Sequence, residues 1–161
     1  MLTYEDLVKV LNYNPETGEF HWRVKPSKRF PAGMKAGSTV NGYVRIHHKD
    51  HMYGAHRLAW LYMYGKHPEN QIDHINGNPS DNRIANLREA THTENAQNIR
   101  RAQKNNSHGT LGITYDPKKQ LWRARIGING KRIYIGKYKS QEEAAKAYIE
   151  AKRTMHSFNM I

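Results

Sequence analysis

The chain has 161 residues, 37% of them hydrophobic and 10% aromatic, with a formal charge of +12. One core of roughly 100 residues plus a small appendage is about what such a length can bury, and the aromatic content argues for a folded, polar, surface-rich protein. With no cysteine, disulfides and thiolate zinc sites are excluded. No apolar run approaches the ~18 residues of a membrane helix, and the stretch from Met1 to Val10 is acidic and amphipathic, unlike a signal peptide. The chain is therefore expected to work inside a cell, in the cytoplasm.

The charge is uneven. Residues 1–95 carry 12 Lys/Arg against 10 Asp/Glu, a net of +2, whereas residues 96–161 carry 14 against 4, a net of +10. Positive charge gathered near aromatic residues is the electrostatic footprint of a polyanion binder, because each phosphate contact releases condensed counterions. Charge alone leaves DNA, RNA and an acidic membrane surface open.

Along the chain, Thr3 followed by Asp6 is a capping pattern, and Leu7, Val10 and Leu11 then share one helical face. Residues 14–18 read as a turn before an aromatic strand, Phe20 to Val24. Residues 25–37, with Pro26, Pro31, Gly33 and Gly37, read as a loop. Asn41-Gly42 marks a hairpin, with Tyr43 to His48 as one strand and His51 to Gly54 as another. Residues 55–64 form a helix stopped by Gly65 and Pro68, in which Trp60, Leu61 and Tyr64 are expected in the core. Thr91 and Glu94 form a capping box for a helix from about residue 92, with Asn95 on its first turn and Asn98 one turn later. Residues 102–109 are polar and turn-rich, the best linker candidate. Strand signals at 112–116, 121–128 and 131–138 follow, separated by Asp116-Pro117 and Asn129-Gly130. Ser140 with Glu143 then caps an Ala-rich helix.

The segment Ile72 to Arg88 crowds an acid, a histidine and several turn formers between apolar positions. Strand, long turn, short strand and helix would bring Asp73, His74 and Asn95 close together. A carboxylate (Asp73) and an amide carbonyl (Asn95) are the hard oxygen donors that Mg²⁺ or Mn²⁺ prefers. A neutral His74 beside them could deprotonate water for in-line attack on a phosphodiester. Strand alternation would point Asp73 and His74 to opposite sides, and Asn-Gly and Pro-Ser-Asp-Asn are common turn formers in any protein.

Residues 71–100 resemble the HNH nuclease motif of phage and intron-type homing endonucleases, the ββα-metal fold. The resemblance rests on Ile-Asp-His-Ile-Asn-Gly-Asn, Asp-Asn-Arg-Ile-Ala-Asn-Leu-Arg-Glu-Ala-Thr and Glu-Asn-Ala-Gln-Asn. Upstream, Asn-Pro-Glu-Thr-Gly at 14–18 and Ala-His-Arg-Leu-Ala-Trp at 55–60 are similar to the family too, so coverage is most of residues 12–101. The resemblance implies that His74 is the water-activating base and that Asn86 ties the loop and orients the site. Asn95 stands where many relatives carry a last histidine, and it would ligate one divalent ion, Mg²⁺ or Mn²⁺, together with Asp73.

His47, His48, His51 and His56 form a loose cluster. His47 and His48 point to opposite strand faces, which suits solvated or phosphate-facing roles better than zinc. Arg57 is a candidate phosphate contact on a helix face that could equally be solvated.

In the last third, Trp122, Ala124, Ile126 and Ile128 alternate with Arg123 and Arg125, and Ile133 and Ile135 alternate with Arg132, Tyr134 and Gly136. One sheet face is thus apolar and suits the Ala-rich helix, and the other presents Arg123, Arg125, Arg132 and Tyr134. Such a face can enter a major groove or simply be solvated. Residues 109–156 resemble the AP-two/ERF DNA-binding domain of plant transcription factors, which also occurs fused to phage HNH nucleases. The matching residues are Gly112-Ile113, Trp122 to Ile126, Tyr134 to Tyr138 and Glu142 to Tyr148. Thr114 and Gly127 stand where the plant domain usually offers Arg, so the resemblance carries the fold and DNA binding but not the plant target. The expected DNA-contacting set is Arg57, Trp122, Arg123, Arg125, Arg132, Tyr134 and Lys137.

The expected architecture is α+β: an HNH endonuclease domain over 1–101 (core motif 71–101), a linker over 102–108, and a three-stranded antiparallel sheet plus one helix over 109–161. The expected activity is metal-dependent hydrolysis of double-stranded DNA by a phage homing or nicking endonuclease, with no membrane and no obligate protein partner. Two rival classes are a non-catalytic DNA-binding regulator with a degenerate nuclease domain, and an RNA binder or cutter. The intact set Asp73, His74, Asn86 and Asn95 argues against the first, and the absence of RNA-module signatures against the second.

Overall fold

A computed structural model describes residues 2–27, 30–97, 109–128 and 130–156. Their contacts divide the chain into two units, Met1–Thr91 and His92–Ile161. Residues 102–108, Asn98 and Asn129, which the sequence marks as linker, helix and turn positions, lie outside the described residues.

In the first unit, α1 (Tyr4–Val10) opens on Thr3, whose hydroxyl accepts from the Asp6 N–H at 3.2 Å, with Glu5 and Asp6 facing the positive end of the helix. Leu11 does not continue the helix. It begins β1 (Leu11–Asn14), in which Leu11 and Tyr13 are buried while Asn12 and Asn14 are exposed. That period of two, with Asn disfavoured inside helices, wins over the helical spacing of Leu7 and Leu11. The Asn14 carboxamide accepts from the backbone of Glu16 and Thr17, and the turn leads into β2 (Glu19–Trp22), which pairs with β1 from Leu11↔Trp22 to Asn14↔Glu19. A third strand, β3 (Lys35–Ala36), closes the sheet from within the stretch read as a loop. Its two residues carry no alternation that a sequence could display.

A second sheet is a meander of β4 (Ser38–Val40), β5 (Tyr43–His48) and β6 (His51–Gly54). Asn41 and Gly42 both have positive φ, 50° and 84°, the pattern of the tight hairpin turn that matches strand twist. Next, α2 (Ala55–Tyr64) ends on Gly65 in the left-handed conformation, whose N–H returns to the Leu61 carbonyl at 2.9 Å. Ala55, Leu58, Ala59 and Leu61 face the core, and each fully buried leucine is worth about 1.5–3 kcal/mol. The sequence places Trp60 and Tyr64 there as well, but Trp60 is only partly buried and Tyr64 is 53% exposed. Trp60 packs against the edge of the core, while Tyr64 lies outside it with its ring tilted against that of Trp60 at 4.4 Å.

The last pair in this unit is β7 (Gln71–His74) with β8 (Leu87–Ala90), antiparallel, preceded by a 3-10 turn at Ile84–Asn86.

The second unit holds α3 (His92–Gln97), then β9 (Ile113–Asp116), β10 (Leu121–Ile128), β11 (Lys131–Tyr138) and α4 (Gln141–Met155). The sheet order is β11-β10-β9, antiparallel throughout. Ser140 and Glu143 close a reciprocal capping box at the start of α4. Ile113, Ala124 and Ala144 form the buried centre, with Trp122, Ile135, Tyr138, Ala145 and Tyr148 packed around it. A bulge between Ala124 and Arg125 resets the pairing and sets Ile133 opposite the buried Ile126, yet Ile133, expected on the apolar face, is 39% exposed. Gly112, at φ 68°, passes so close to Tyr148 that a Cβ there would fall inside the ring. The fold class is therefore α+β, built of small antiparallel sheets with few helices.

Candidate active site

Asp73 and His74 end β7, and both are buried. Asp73 lies directly opposite Arg88 on β8. The Arg88 guanidinium donates to it through Nε at 3.0 Å and Nη2 at 2.9 Å, and both bonds fall on Oδ2. Two donors on one oxygen fix the orientation of the carboxylate, with Oδ1 as its other edge.

His74 is oriented differently. Its Nε2 lies 3.3 Å from the Asn82 amide oxygen, and the Asn82 amide nitrogen donates to the Ser80 carbonyl at 3.2 Å. That orientation of Asn82 makes His74 Nε2 the donor, which leaves the lone pair on Nδ1. Burial pushes His74 below the ordinary histidine range, while the Asn82 bond acts the other way. A neutral imidazole with a defined lone pair is the form that can accept a proton from water.

The intervening loop is built from side chains that bond to nearby backbone. Asn76 accepts from Asn78 N at 2.8 Å, Asn78 from Ser80 N at 3.1 Å, and Asp81 from Arg83 N at 3.3 Å. Asn86 crosses it: its oxygen accepts from Asn76 N at 2.9 Å, and its amide nitrogen donates to Asn76 Oδ1 and to the Asp81 carbonyl at 3.0 and 2.8 Å. The Arg83 guanidinium grips Asp81 on both oxygens and holds its carboxyl down at about 2. Residues 13–18 brace the same loop from outside. The Tyr13 hydroxyl donates to Asn82 O at 2.7 Å, and Ile84 N donates to Pro15 O at 3.2 Å.

The chain thus brings Asp73, His74 and Asn86 to one end of the β7–β8 pair. Asn95 is half-buried on α3, in the second unit. No group of three or more His, Asp or Glu side chains placed to hold a metal ion occurs among the described residues. The donor types still suit a hard divalent cation, since carboxylate and amide oxygens are what Mg²⁺ and Mn²⁺ take.

Sequence reading passed over Asn82 and Arg88 here and gave His56 a solvated or phosphate-facing role, whereas it is half-buried. Asn82 reads as a turn former yet is only 2% exposed and orients His74. Arg88 becomes visible only once β7 and β8 are in register. His56, on α2, has its ring 5.3 Å from that of His74.

Of the expected DNA contacts, Arg57 donates to the Asn70 carbonyl at 3.4 Å from α2. On the C-terminal sheet, Arg125 stands opposite Tyr134, and Gly127 opposite Arg132. Arg125, Arg132, Tyr134 and Lys137 are all exposed. Arg123, opposite Lys137, is half-buried and ion-paired with Asp116. Trp122 packs on the helix-covered side, 5.1 Å from the Tyr115 ring. No helix among the described residues is long and apolar enough to cross a membrane.

Residues 53–97 match the family model described as HNH endonuclease, and residues 109–157 match that of the AP2 domain. The chain is also similar to Protein 3.8 of Escherichia phage T7, at 33% identity over 78 residues, 48% of this chain. That match spans 64% of the phage protein's length. No solved structure matches the chain. Over these two stretches the chain carries an HNH endonuclease domain followed by an AP2 DNA-binding domain.

Proposed function

We propose that the protein is a metal-dependent endonuclease that hydrolyses phosphodiester bonds in double-stranded DNA, a homing or nicking enzyme of phage origin acting in the host cell. The observation that carries this reading is His74, buried, lowered in pKa by that burial and bonded through Nε2 to Asn82, at the strand end that also presents Asp73. In this reading His74 accepts the proton of the attacking water, and Asn86 keeps the loop that carries Asn82 in place. Asp73 and Asn95 are the proposed oxygen ligands of one Mg²⁺ or Mn²⁺ ion. Such an ion supplies charge stabilisation at the phosphate and the leaving oxygen. Arg125, Arg132, Tyr134 and Lys137, with Arg57, Trp122 and Arg123, are the proposed DNA contacts. Residues 1–101 and 109–161 are the proposed domain limits, joined by 102–108. The similarity to a phage protein supports the phage setting.

One observation favours the rival reading of a DNA-binding regulator without activity, namely the ion pair that already occupies Asp73. Supercoiled plasmid separates the two. With Mg²⁺ the protein is expected to convert it to open circle, and EDTA, Asp73→Ala or His74→Ala is expected to silence that conversion. General-base removal typically costs about 10²–10⁴ in rate. Plasmid that stays supercoiled at saturating, demonstrably DNA-bound protein, across Mg²⁺ and Mn²⁺, would establish the regulator instead.

A further inference from the structure

Three rings meet beside the candidate base. His56 and His74 lie edge to face, 5.3 Å apart at 65°, and Tyr43 stands 5.8 Å from His56 and 6.1 Å from His74. All three belong to the first unit. Tyr43 follows the Asn41-Gly42 turn, and Ser80 Oγ donates to the Gly42 carbonyl at 2.7 Å, which ties that hairpin to the loop carrying Asn82. The Asn82 bond fixes one edge of His74, and at 3.3 Å it is a long one. The faces of the ring are set by its aromatic neighbours.

His56 is half-buried in an unusual way. Its Nδ1 is enclosed and has no hydrogen-bond partner among the described residues. Leaving such an atom unpaired costs about 1–3 kcal/mol, so a histidine at this position needs a reason other than stability. The ring lies against Gly54. A Cβ there would stand 2.7 Å from His56 Cε1 and 3.2 Å from Nδ1, so only a glycine leaves the imidazole where it is. Gly54 has φ −73° and ψ 127°, a conformation open to any residue, so close approach and not backbone freedom explains the glycine.

We propose that His56 is a positioning residue for the candidate base: its imidazole, seated on Gly54, is the wall that holds the His74 ring in the orientation that presents Nδ1. The inference rests on the nuclease reading for its consequence in catalysis, but not for the geometry. Packing against His56 adds to the restraint that the Asn82 hydrogen bond supplies. Burial, with smaller contributions from His74, Arg45 and Arg57, lowers the His56 pKa to about 4, so no second cation stands against His74 near neutral pH.

The test uses the full chain and two readouts. The first is the single-turnover nicking rate at saturating plasmid with Mg²⁺, set beside DNA affinity and melting temperature. The second is the pair of ¹⁵N ring signals of His74, which reports its tautomer without any need for activity. His56→Ala is expected to slow nicking at least tenfold with DNA affinity within about twofold, and to move the two His74 signals towards a common averaged position. His56→Phe keeps a ring and removes the unpaired nitrogen, and it should retain the rate within about threefold at an equal or higher melting temperature. Gly54→Ala should slow nicking several-fold by displacing the ring while leaving every imidazole present, and it carries the test if His56→Ala does not fold. A normal rate and normal His74 signals in both His56→Ala and Gly54→Ala would overturn the proposal. So would a His56→Phe protein as slow as His56→Ala with undisturbed His74 signals, since the imidazole would then act through its own chemistry. If the wild type nicks nothing, the nuclease reading falls, and positioning is decided by the His74 signals alone.

Discussion

Fourteen buried hydrophobic residues form the core of the first unit, most of them from two three-stranded sheets, the β7–β8 pair and two helices, whereas the C-terminal unit closes over Ile113, Ala124 and Ala144 with five partly buried neighbours. The first unit stands on nearly balanced sequence, while the region from residue 96 onward holds +10 of the charge. The larger core holds a few polar side chains in fixed orientations, each with named partners. The smaller one leaves Arg125, Arg132 and Lys137 exposed on one sheet face. Chemistry at a reacting atom needs groups held to within fractions of an ångström, and that demands a large, well-packed support. Holding a phosphate backbone needs charge within reach, and a thin sheet-and-helix scaffold suffices.

The largest effect is expected from unfolding the thin unit alone. Gly112→Ala combines a left-handed backbone with a clash against Tyr148, and together these should cost about 2–4 kcal/mol. Hydrogen exchange should accelerate at the amides of β9, β10 and β11 while those of α2 stay protected. Equal acceleration in α2 would mean that the two units share one cooperative transition.

A smaller effect is expected from the charged face. Arg125→Ala with Arg132→Ala should weaken DNA binding roughly tenfold near 0.1 M salt and flatten the slope of log K against log salt by up to about 2, at ~0.9 per phosphate contact. Arg123→Ala should cost less, because Asp116 already neutralises that guanidinium. Fluorescence anisotropy over a salt series reads both quantities. An Arg123→Ala loss as large as that of the double variant would place the anchor elsewhere.

The smallest effect concerns acid. His56 titrates at about 4 in the folded protein against 6.5 when free, so as pH falls the unfolded chain takes up its proton first. Stability is full above pH 6.5 and is lost between about 6.5 and 4, and His74, lowered in the same direction, adds to the loss. At pH 6 the His56 share is below about 1 kcal/mol. Urea midpoints at pH 7.5, 6 and 5 should show a smaller acid loss in His56→Phe than in the wild type. An identical pH dependence would remove His56 from the account.

Elements with strong local signals were legible in the sequence. The helix over 55–64, the hairpin at Asn41-Gly42, the strands over 121–128 and 131–138 and the capping box at Ser140 all depend on residues within a turn or two of one another. What the sequence hid was non-local. Leu11 fits a helical face and a strand equally well, and pairing with Trp22 decides between them. The two residues of β3 and the exposed β4 are strands only because β2 and β5 lie beside them. Among the candidate residues, Asp73, His74 and Asn95 stood out by residue type, and Asn86 through the resemblance to the HNH motif. Asn82, Arg88 and His56 could not, because their roles come from a buried amide, a cross-strand register and a ring contact between β7 and α2.

The brace between residues 13–18 and 82–84 has a further consequence for how the molecule comes into being. Tyr13 reaches Asn82 across 69 positions of chain, Ile84 bonds to Pro15, and a Cβ at Gly18 would run into the Asn82–Arg83 peptide. Contacts of such separation form late, since their loop-closure entropy must be met before they add stability. The turn carrying Asn82 is therefore expected to settle after the amino-terminal hairpin has docked, later than the local helices and hairpins. The same brace means that a fragment cut to residues 53–97 would carry every residue of the motif and still lack the strut that sets its loop.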